Sequence, residues 1–243
     1  MSQDTGGTSV AQHSLRYEIK MACQESAYER LLAVLRLDPA AIRKLYPPRR
    51  VQSIYLDTPT GKALEENLAG ISHREKIRVR FYGGSALGVR AVLERKVREN
   101  ALGWKDTLRL SAPIDVEGVT HRSFLEQVKS ASDSTWRSAI EACLEPVQWI
   151  SYVRDYFRTA DGRVRITIDR KLQAADLRHS QRLSFRLRTH LPRITVIEAK
   201  CAAKDYDAAQ AILSRLPLFV DRCSKFVLAS DREHGPEPSV FPL

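Results

Sequence analysis

The chain has 243 residues, 43% of them hydrophobic, and carries 39 Lys and Arg against 29 Asp and Glu, for a formal net charge of +10 and a pI near 9.6. This apolar content excludes a disordered polyelectrolyte, and the charge balance points to anionic partners: nucleic acid, phosphorylated metabolites, polyphosphate or a lipid surface. No stretch approaches the roughly 20 apolar residues that span a bilayer, and the polar head Met1 to Ser14 lacks the basic and apolar regions of a secretory leader. The cysteines Cys23, Cys143, Cys201 and Cys223 form no CxxC pair, and the histidines show no zinc-ligand spacing, so the expectation is a cytoplasmic protein whose thiols are small buried apolar groups.

After the head (1–14), Leu15 to Met21 reads as a strand, and Glu25 to Leu37 as an amphipathic helix because Tyr28, Leu31, Leu32 and Leu35 recur at helical spacing. Asp38-Pro39 and Pro47-Pro48 punctuate the chain before a strand over Val51 to Asp57. Asp57-Thr58-Pro59 reads as strand end and turn, followed by a short helix from Gly61 to Leu68 closed by Gly70. Arg74 to Tyr82 and Val89 to Arg98 form a hairpin about Gly83-Gly84-Ser85, and Lys105 to Ser111 extends it into a meander. Between Pro113 and Pro146 the period changes to that of a helical pair over Thr120 to Leu144. Strands return at Trp149 to Phe157, Arg163 to Asp169, Arg182 to Arg188 and Ile194 to Cys201, with Asp161-Gly162 as a turn. Helices follow at Asp205 to Leu216 and Ser224 to Glu233, and the tail 235–243 is irregular. With no repeat and no linker, one domain over 15–234 is expected: an α+β fold whose eight antiparallel strands close into a barrel with helices packed outside.

Six of these stretches place a charged residue at every second position: Arg16-Tyr17-Glu18-Ile19-Lys20, Ile77 to Phe81, Leu93 to Val97, Arg163 to Asp169, Arg182 to Arg188 and Val196 to Lys200. Side chains two apart in a strand share a face, so each stretch has one ionic and one apolar face. The apolar faces, such as Ile77-Val79-Phe81 and Val164-Ile166-Ile168, need helices over them. The ionic faces then look either to bulk water or into an enclosed lumen. A cationic lumen demands a polyanion, and the carboxylates Glu94 and Glu198, each two residues from a lysine, suit a site that combines metal and phosphate. Which face Arg158, Arg163, Arg182, Arg186 and Arg188 occupy stays open at this level.

The succession Arg16-Tyr17-Glu18-Ile19-Lys20, Ser53 to Pro59, Lys76-Ile77-Arg78-Val79-Arg80-Phe81-Tyr82-Gly83, Leu93 to Lys96, Arg165 to Asp169, Ile197 to Lys200 and Ser224-Lys225-Phe226 resembles the VTC domain. That is the catalytic domain of the vacuolar transporter chaperone polyphosphate polymerase, in the triphosphate tunnel metalloenzyme superfamily. The resemblance implies an eight-stranded tunnel binding ATP, polyphosphate or tripolyphosphate with Mn2+ or Mg2+. It makes Lys20, Arg78, Arg80, Lys96, Arg165 and Lys225 the catalytic and phosphate-binding cations, with Lys105 and Ser224 beside them and Arg98 standing where the family can carry a histidine. Glu198 is the implied metal ligand, with Glu94 and Glu18 as second candidates. Arg16 replaces the first glutamate of the ExExK signature, which argues against the thiamine triphosphatase and class IV adenylyl cyclase branch. Without a regulatory domain or membrane helices in the matched pattern, regulation or export would need separate proteins, a membrane partner among them.

Three functions compete at this level. A polyphosphate polymerase passes the ATP γ-phosphoryl group to a chain end, a hydrolase of tripolyphosphate or nucleoside triphosphates uses water, and a binding module holds polyphosphate without turnover. A nucleic-acid binder fits worst, because Trp104, Trp136 and Trp149 do not interleave with the basic strands.

Overall fold

The computed structural model describes residues 16–99, 102–141, 144–189, 191–216 and 224–230, so the expected head and tail, and Cys143 and Cys223, lie outside the described residues. Eight strands are present: β1 (Arg16–Gln24), β2 (Arg43–Asp57), β3 (His73–Tyr82), β4 (Val92–Glu99), β5 (Leu102–Arg109), β6 (Glu145–Arg158), β7 (Val164–Asp176) and β8 (Ile194–Ala202). They form one antiparallel sheet in the order β1-β8-β7-β6-β2-β3-β4-β5. The helices are α1 (Tyr28–Leu37), α2 (Lys62–Leu68), α3 (His121–Ser130), α4 (Ser134–Glu141), α5 (Tyr206–Leu213) and α6 (Lys225–Ser230).

Period-two patterning sorts the side chains as the sequence predicts. One convex core joins Met21, Ile166, Ile168, Ile197 and Ala199 of the sheet to Leu31 and Leu35 of α1 and to Ile212 and Leu213 of α5. A second packs Ile77, Val79, Phe81 and Leu93 under Phe124 and Val128 of α3 and Ile140 of α4. With that side sealed by hydrocarbon, the alternate residues of the same strands are committed to the concave side.

The sheet corrects the expectation of a closed barrel. Among the described residues β1 hydrogen-bonds only to β8 and β5 only to β4, so no backbone ladder joins the two edges. The sheet curls far enough for Lys96 of β4 to reach Glu18 of β1, Nζ to Oε2 at 3.3 Å. Long side chains thus bridge a seam too wide for backbone bonds of about 2.9 Å.

A second correction concerns the helices, which do not all lie outside. The α6 helix is seated on the concave face, where Phe226 stacks on Tyr55 at 4.8 Å and joins Ala229 in a cluster with Val51, Ile150, Tyr152 and Ala174. Ser230, at its far end, accepts a hydrogen bond from Gln148 Nε2 at 3.1 Å. The helix therefore lies on the concave face at the end where β6 begins.

Two local expectations also change. Arg182 to Arg188 is irregular, because its alternation serves to bury Leu183 and Phe185 in the second convex core while Arg182, Arg186 and Arg188 face outward. Pro47-Pro48 does not interrupt the chain: it lies within β2, in the half that has no β3 neighbour, where the β6 register skips between Tyr46 and Arg49 and so requires no proline N–H. Asp57 acts as a turn residue, its carboxylate accepting from the backbone N–H of Thr58, Ala63 and Leu64 to start α2. Cys23 and Cys201 are buried free thiols. No helix of the described residues is long and apolar enough to cross a membrane.

Because Phe226 is 3% exposed and holds α6 in the tunnel, Phe226→Ala is expected to destabilise the fold by about 3–5 kcal/mol. Urea unfolding measures this, and a loss below about 1 kcal/mol would show that α6 is not seated there.

Candidate functional site

On the concave face Glu198 is 5% exposed and gathers four cations. Lys225 and Lys20 lie 3.1 and 3.7 Å from its Oε1, and Arg154 and Lys200 lie 3.2 and 3.9 Å from its Oε2. Lys20 faces it directly across the β1–β8 ladder, whereas Lys225 is delivered by α6. Beside it the fully buried Asp169 takes two hydrogen bonds from Arg154, at 2.5 and 2.6 Å, and an ion pair from Lys225 at 2.6 Å. Glu18 collects Lys20 at 3.1 Å and Lys96 and Lys200 at 3.3 Å each. Burial pushes the Glu198 carboxyl upward, but Lys225, Lys20, Arg154 and Lys200 outweigh it and hold the group well below the usual carboxylate range.

A second cluster surrounds Glu94, 4% exposed on β4. Arg78 grips its Oε2 with Nε at 2.8 Å and Nη2 at 2.7 Å, while Arg80 and Lys105 reach Oε1 at 3.3 and 3.2 Å. Arg78 also donates to the Tyr55 hydroxyl at 2.9 Å. Burial raises the Glu94 carboxyl, yet Arg78, Arg80 and Lys105 bring it down to about 2. Its charge is permanent at neutral pH and serves to hold two guanidinium groups side by side.

Between the clusters stands Lys76, which has no carboxylate partner among the described residues. Its Nζ donates to Ser224 Oγ at 3.2 Å and lies 5.3 Å from the centre of the Phe226 ring. Burial, together with the charges of Lys20, Lys96, Arg74 and Arg78, pushes its ammonium down to about 7. Among the described residues nine basic side chains (Lys20, Lys76, Arg78, Arg80, Lys96, Lys105, Arg154, Lys200 and Lys225) gather around the four carboxylates Glu18, Glu94, Asp169 and Glu198, so basic groups outnumber acids in this space. Exposure grades along it: Lys225, Arg80 and Arg154 are 9–12% exposed, whereas Lys96 and Lys105 are 45% and 47%.

Of the residues singled out in the sequence, Lys20, Arg78, Arg80, Lys96, Lys105, Ser224 and Lys225 converge in this space. Arg98 and Arg165 share the face by register, Arg98 opposite Arg74 and Arg165 opposite Lys200, but both are exposed toward the rim. Arg163 pairs with Asp161 in the exposed β6–β7 turn instead. Sequence reading missed Arg154, Asp169, Lys76 and Lys200 as members of the site. The signal was present in the sequence: Lys76 continues the alternation of Arg78 and Arg80, Asp169 and Lys200 end the alternating stretches Arg163 to Asp169 and Val196 to Lys200, and Arg154 alternates with Tyr152, Tyr156 and Arg158. Tyr55, which supports Arg78, carried no such signal.

The carboxylates serve the cations first. No group of three His, Cys, Asp or Glu converges among the described residues. Glu94 and Glu198 share no cationic partner, so a metal held by both would have to displace two separate sets of charges.

The VTC domain family matches residues 11–233, and the protein belongs to that family. No curated protein matches the chain. Among solved structures, a candidate adenylate cyclase from Vibrio parahaemolyticus superposes with a TM-score of 0.54 at 12% identity, over 90% of this chain and all of its own, a likeness of fold. The Mediator head module of Schizosaccharomyces pombe reaches a TM-score of 0.41 at 6% identity, over 83% of this chain and 92% of its own.

Lys76 supplies a pH-dependent prediction. Its ammonium is neutral above about pH 7 in the folded protein, and a polyanion placed beside it favours the charged form, so binding tripolyphosphate at about pH 8 should take up a proton. Titration calorimetry in buffers of different ionisation enthalpy reads this uptake, and Lys76→Met should reduce it. Equal uptake by both proteins would contradict the assignment.

Proposed function

We propose that this chain is a metal-dependent phosphotransferase acting on ATP and polyphosphate inside the tunnel, a polyphosphate polymerase that passes the ATP γ-phosphoryl group to the end of a polyphosphate chain. The carrying observation is the excess of cations over carboxylates on an inward face whose acids are already spent in holding those cations. Membership of the VTC domain family supports the same reading.

Phosphoryl transfer asks for alignment and charge neutralisation more than for covalent help from the protein. Arg78 and Arg80, fixed by Glu94, present planar forks for nonbridging oxygens, and Arg154 and Lys225, fixed by Asp169, supply charge at the end where α6 lies. Burial tends to discharge Lys225, but Asp169 and Glu198 more than compensate and raise it, so it stays cationic at every physiological pH. The substrate adds negative charge beside Lys76, Lys96 and Lys200, whose ammonium groups burial first of all depresses.

The hard oxygens of Glu198 and Glu18 fit a Mn2+ or Mg2+ ion that arrives on the phosphates, the usual mode for magnesium, better than a resident metal. Bound there, such an ion would neutralise charge on the transferring group. Glu94 is better read as an anchor for Arg78 and Arg80 than as a ligand.

Incubation with ATP and Mn2+ should give long-chain polyphosphate and ADP, and Arg80→Ala should lower kcat/KM by about 100-fold. ADP with orthophosphate and no polyphosphate would make the protein a hydrolase, and binding without turnover would make it a polyphosphate-holding module.

A further inference from the structure

The concave face does not end where the tunnel does. The register carries a row of cations across the sheet at the end opposite α6: Arg43 faces Arg158, Arg158 faces Arg165, and Arg165 faces Lys200, the last already part of the tunnel. Four adjacent strands place these groups within about 14 Å at the usual strand spacing. Like charges directly opposite in a ladder destabilise a sheet. Inside the tunnel each carboxylate gathers several cations, but Arg43, Arg158 and Arg165 have no carboxylate partner among the described residues and all three are exposed. Arg158 does bond the Gly162 carbonyl at 3.1 Å, which fixes its stem but leaves its charge uncompensated.

One step inward, Tyr46 meets Tyr156 edge to face at 5.8 Å and Arg49 lies 5.4 Å from the Tyr46 ring centre, with Arg49 opposite Arg154 across the ladder. This part of β2 has no β3 neighbour, since β3 pairs only from Val51 onward. The β2–β6 ribbon therefore extends past the tunnel wall as an open apron, continuous with Arg154 and Lys200 inside.

We propose that this apron is a second polyphosphate subsite, which holds the stretch of a long chain that emerges from the open end of the tunnel. The inference rests on the phosphate reading of the tunnel and adds to it a chain-length preference. The α6 helix occupies the Gln148 end, ten residues along β6 from Arg158, so these arginines stand at the end that α6 does not occupy, where a polymer too long for the lumen would emerge. Two linked subsites on one polymer act as a bivalent grip, in which the second contact raises affinity without altering the first. Tripolyphosphate, confined to the lumen, does not reach the apron.

The test compares wild type with the triple variant Arg43→Ala, Arg49→Ala, Arg158→Ala, titrated with tripolyphosphate and with polyphosphate of tens of phosphates at physiological ionic strength. Long-chain affinity should fall by about tenfold or more in the variant, while tripolyphosphate affinity changes less than about twofold and the melting temperature without ligand is retained. Equal loss for both ligands, or loss for neither, overturns the apron. So does a variant that keeps its long-chain preference but loses binding to phosphatidylserine vesicles, which would mark a lipid surface instead. Failure of the wild type to bind tripolyphosphate would overturn the phosphate reading itself, and the apron with it. Addition of a single Arg43→Ala protein controls for folding of the triple variant, since this exposed residue should show the same effect at smaller size.

Discussion

Cations forced onto one face of a curled sheet repel each other by about 4 kcal/mol per pair at 4 Å and an effective dielectric of 20, and the architecture of the tunnel answers that repulsion. Glu94, Asp169, Glu198 and Glu18 each hold several cations in fixed positions. Removal of any of these anchors leaves buried like charges facing one another, a more costly state than the loss of a surface ion pair. The four acids fix the geometry without neutralising it, and the charge left over is what the proposed polyanion would balance.

The convex side makes that arrangement permanent. Two hydrocarbon cores under α1 and α5 and under α3 and α4 hold the sheet by its outer face, so the ionic residues cannot escape to solvent by a one-residue register slip without burying charge and exposing Ile166, Ile197 or Phe81. Even the polar contacts on that side are supporting ones. Asp155, fully buried, takes Arg170 at 3.0 Å and Lys44 at 3.5 Å beneath the Tyr28 hydroxyl, tying α1 to β6. The α6 helix ties the Glu198 cluster to Lys76, since Lys225 reaches Asp169 and Glu198 while Ser224, the residue before the helix, meets Lys76.

Much of this was legible in the sequence because a strand has a period of two, and alternation assigns a face before any neighbour is known. Lys20, Arg78, Arg80, Lys96 and Glu198 were placed that way, and the resemblance to the VTC domain, matched by the family, ordered them. What stayed hidden depends on long-range geometry. The seam at Lys96 and Glu18 reflects how far the sheet curls, which no local pattern encodes. The inward seat of α6 was illegible because Phe226 and Ala229 mark an apolar stripe on either side of a sheet equally well. Arg182 to Arg188 alternates as strands do but has no extended ladder partner, and Leu183 and Phe185 decide its place by packing under the outer helices. Arg154 was overlooked because it sits among aromatic residues that read as core.

On the proposed reading, a chain of phosphates relieves the charge of this preformed cationic space. Thermal unfolding with tripolyphosphate, compared with orthophosphate at matched ionic strength, measures this directly. At about a hundred times its dissociation constant, a ligand bound only by the folded form adds about 2.7 kcal/mol, so tripolyphosphate should raise the melting temperature by several degrees and orthophosphate should do far less. Equal shifts from the two anions, or no shift from either, would contradict the account.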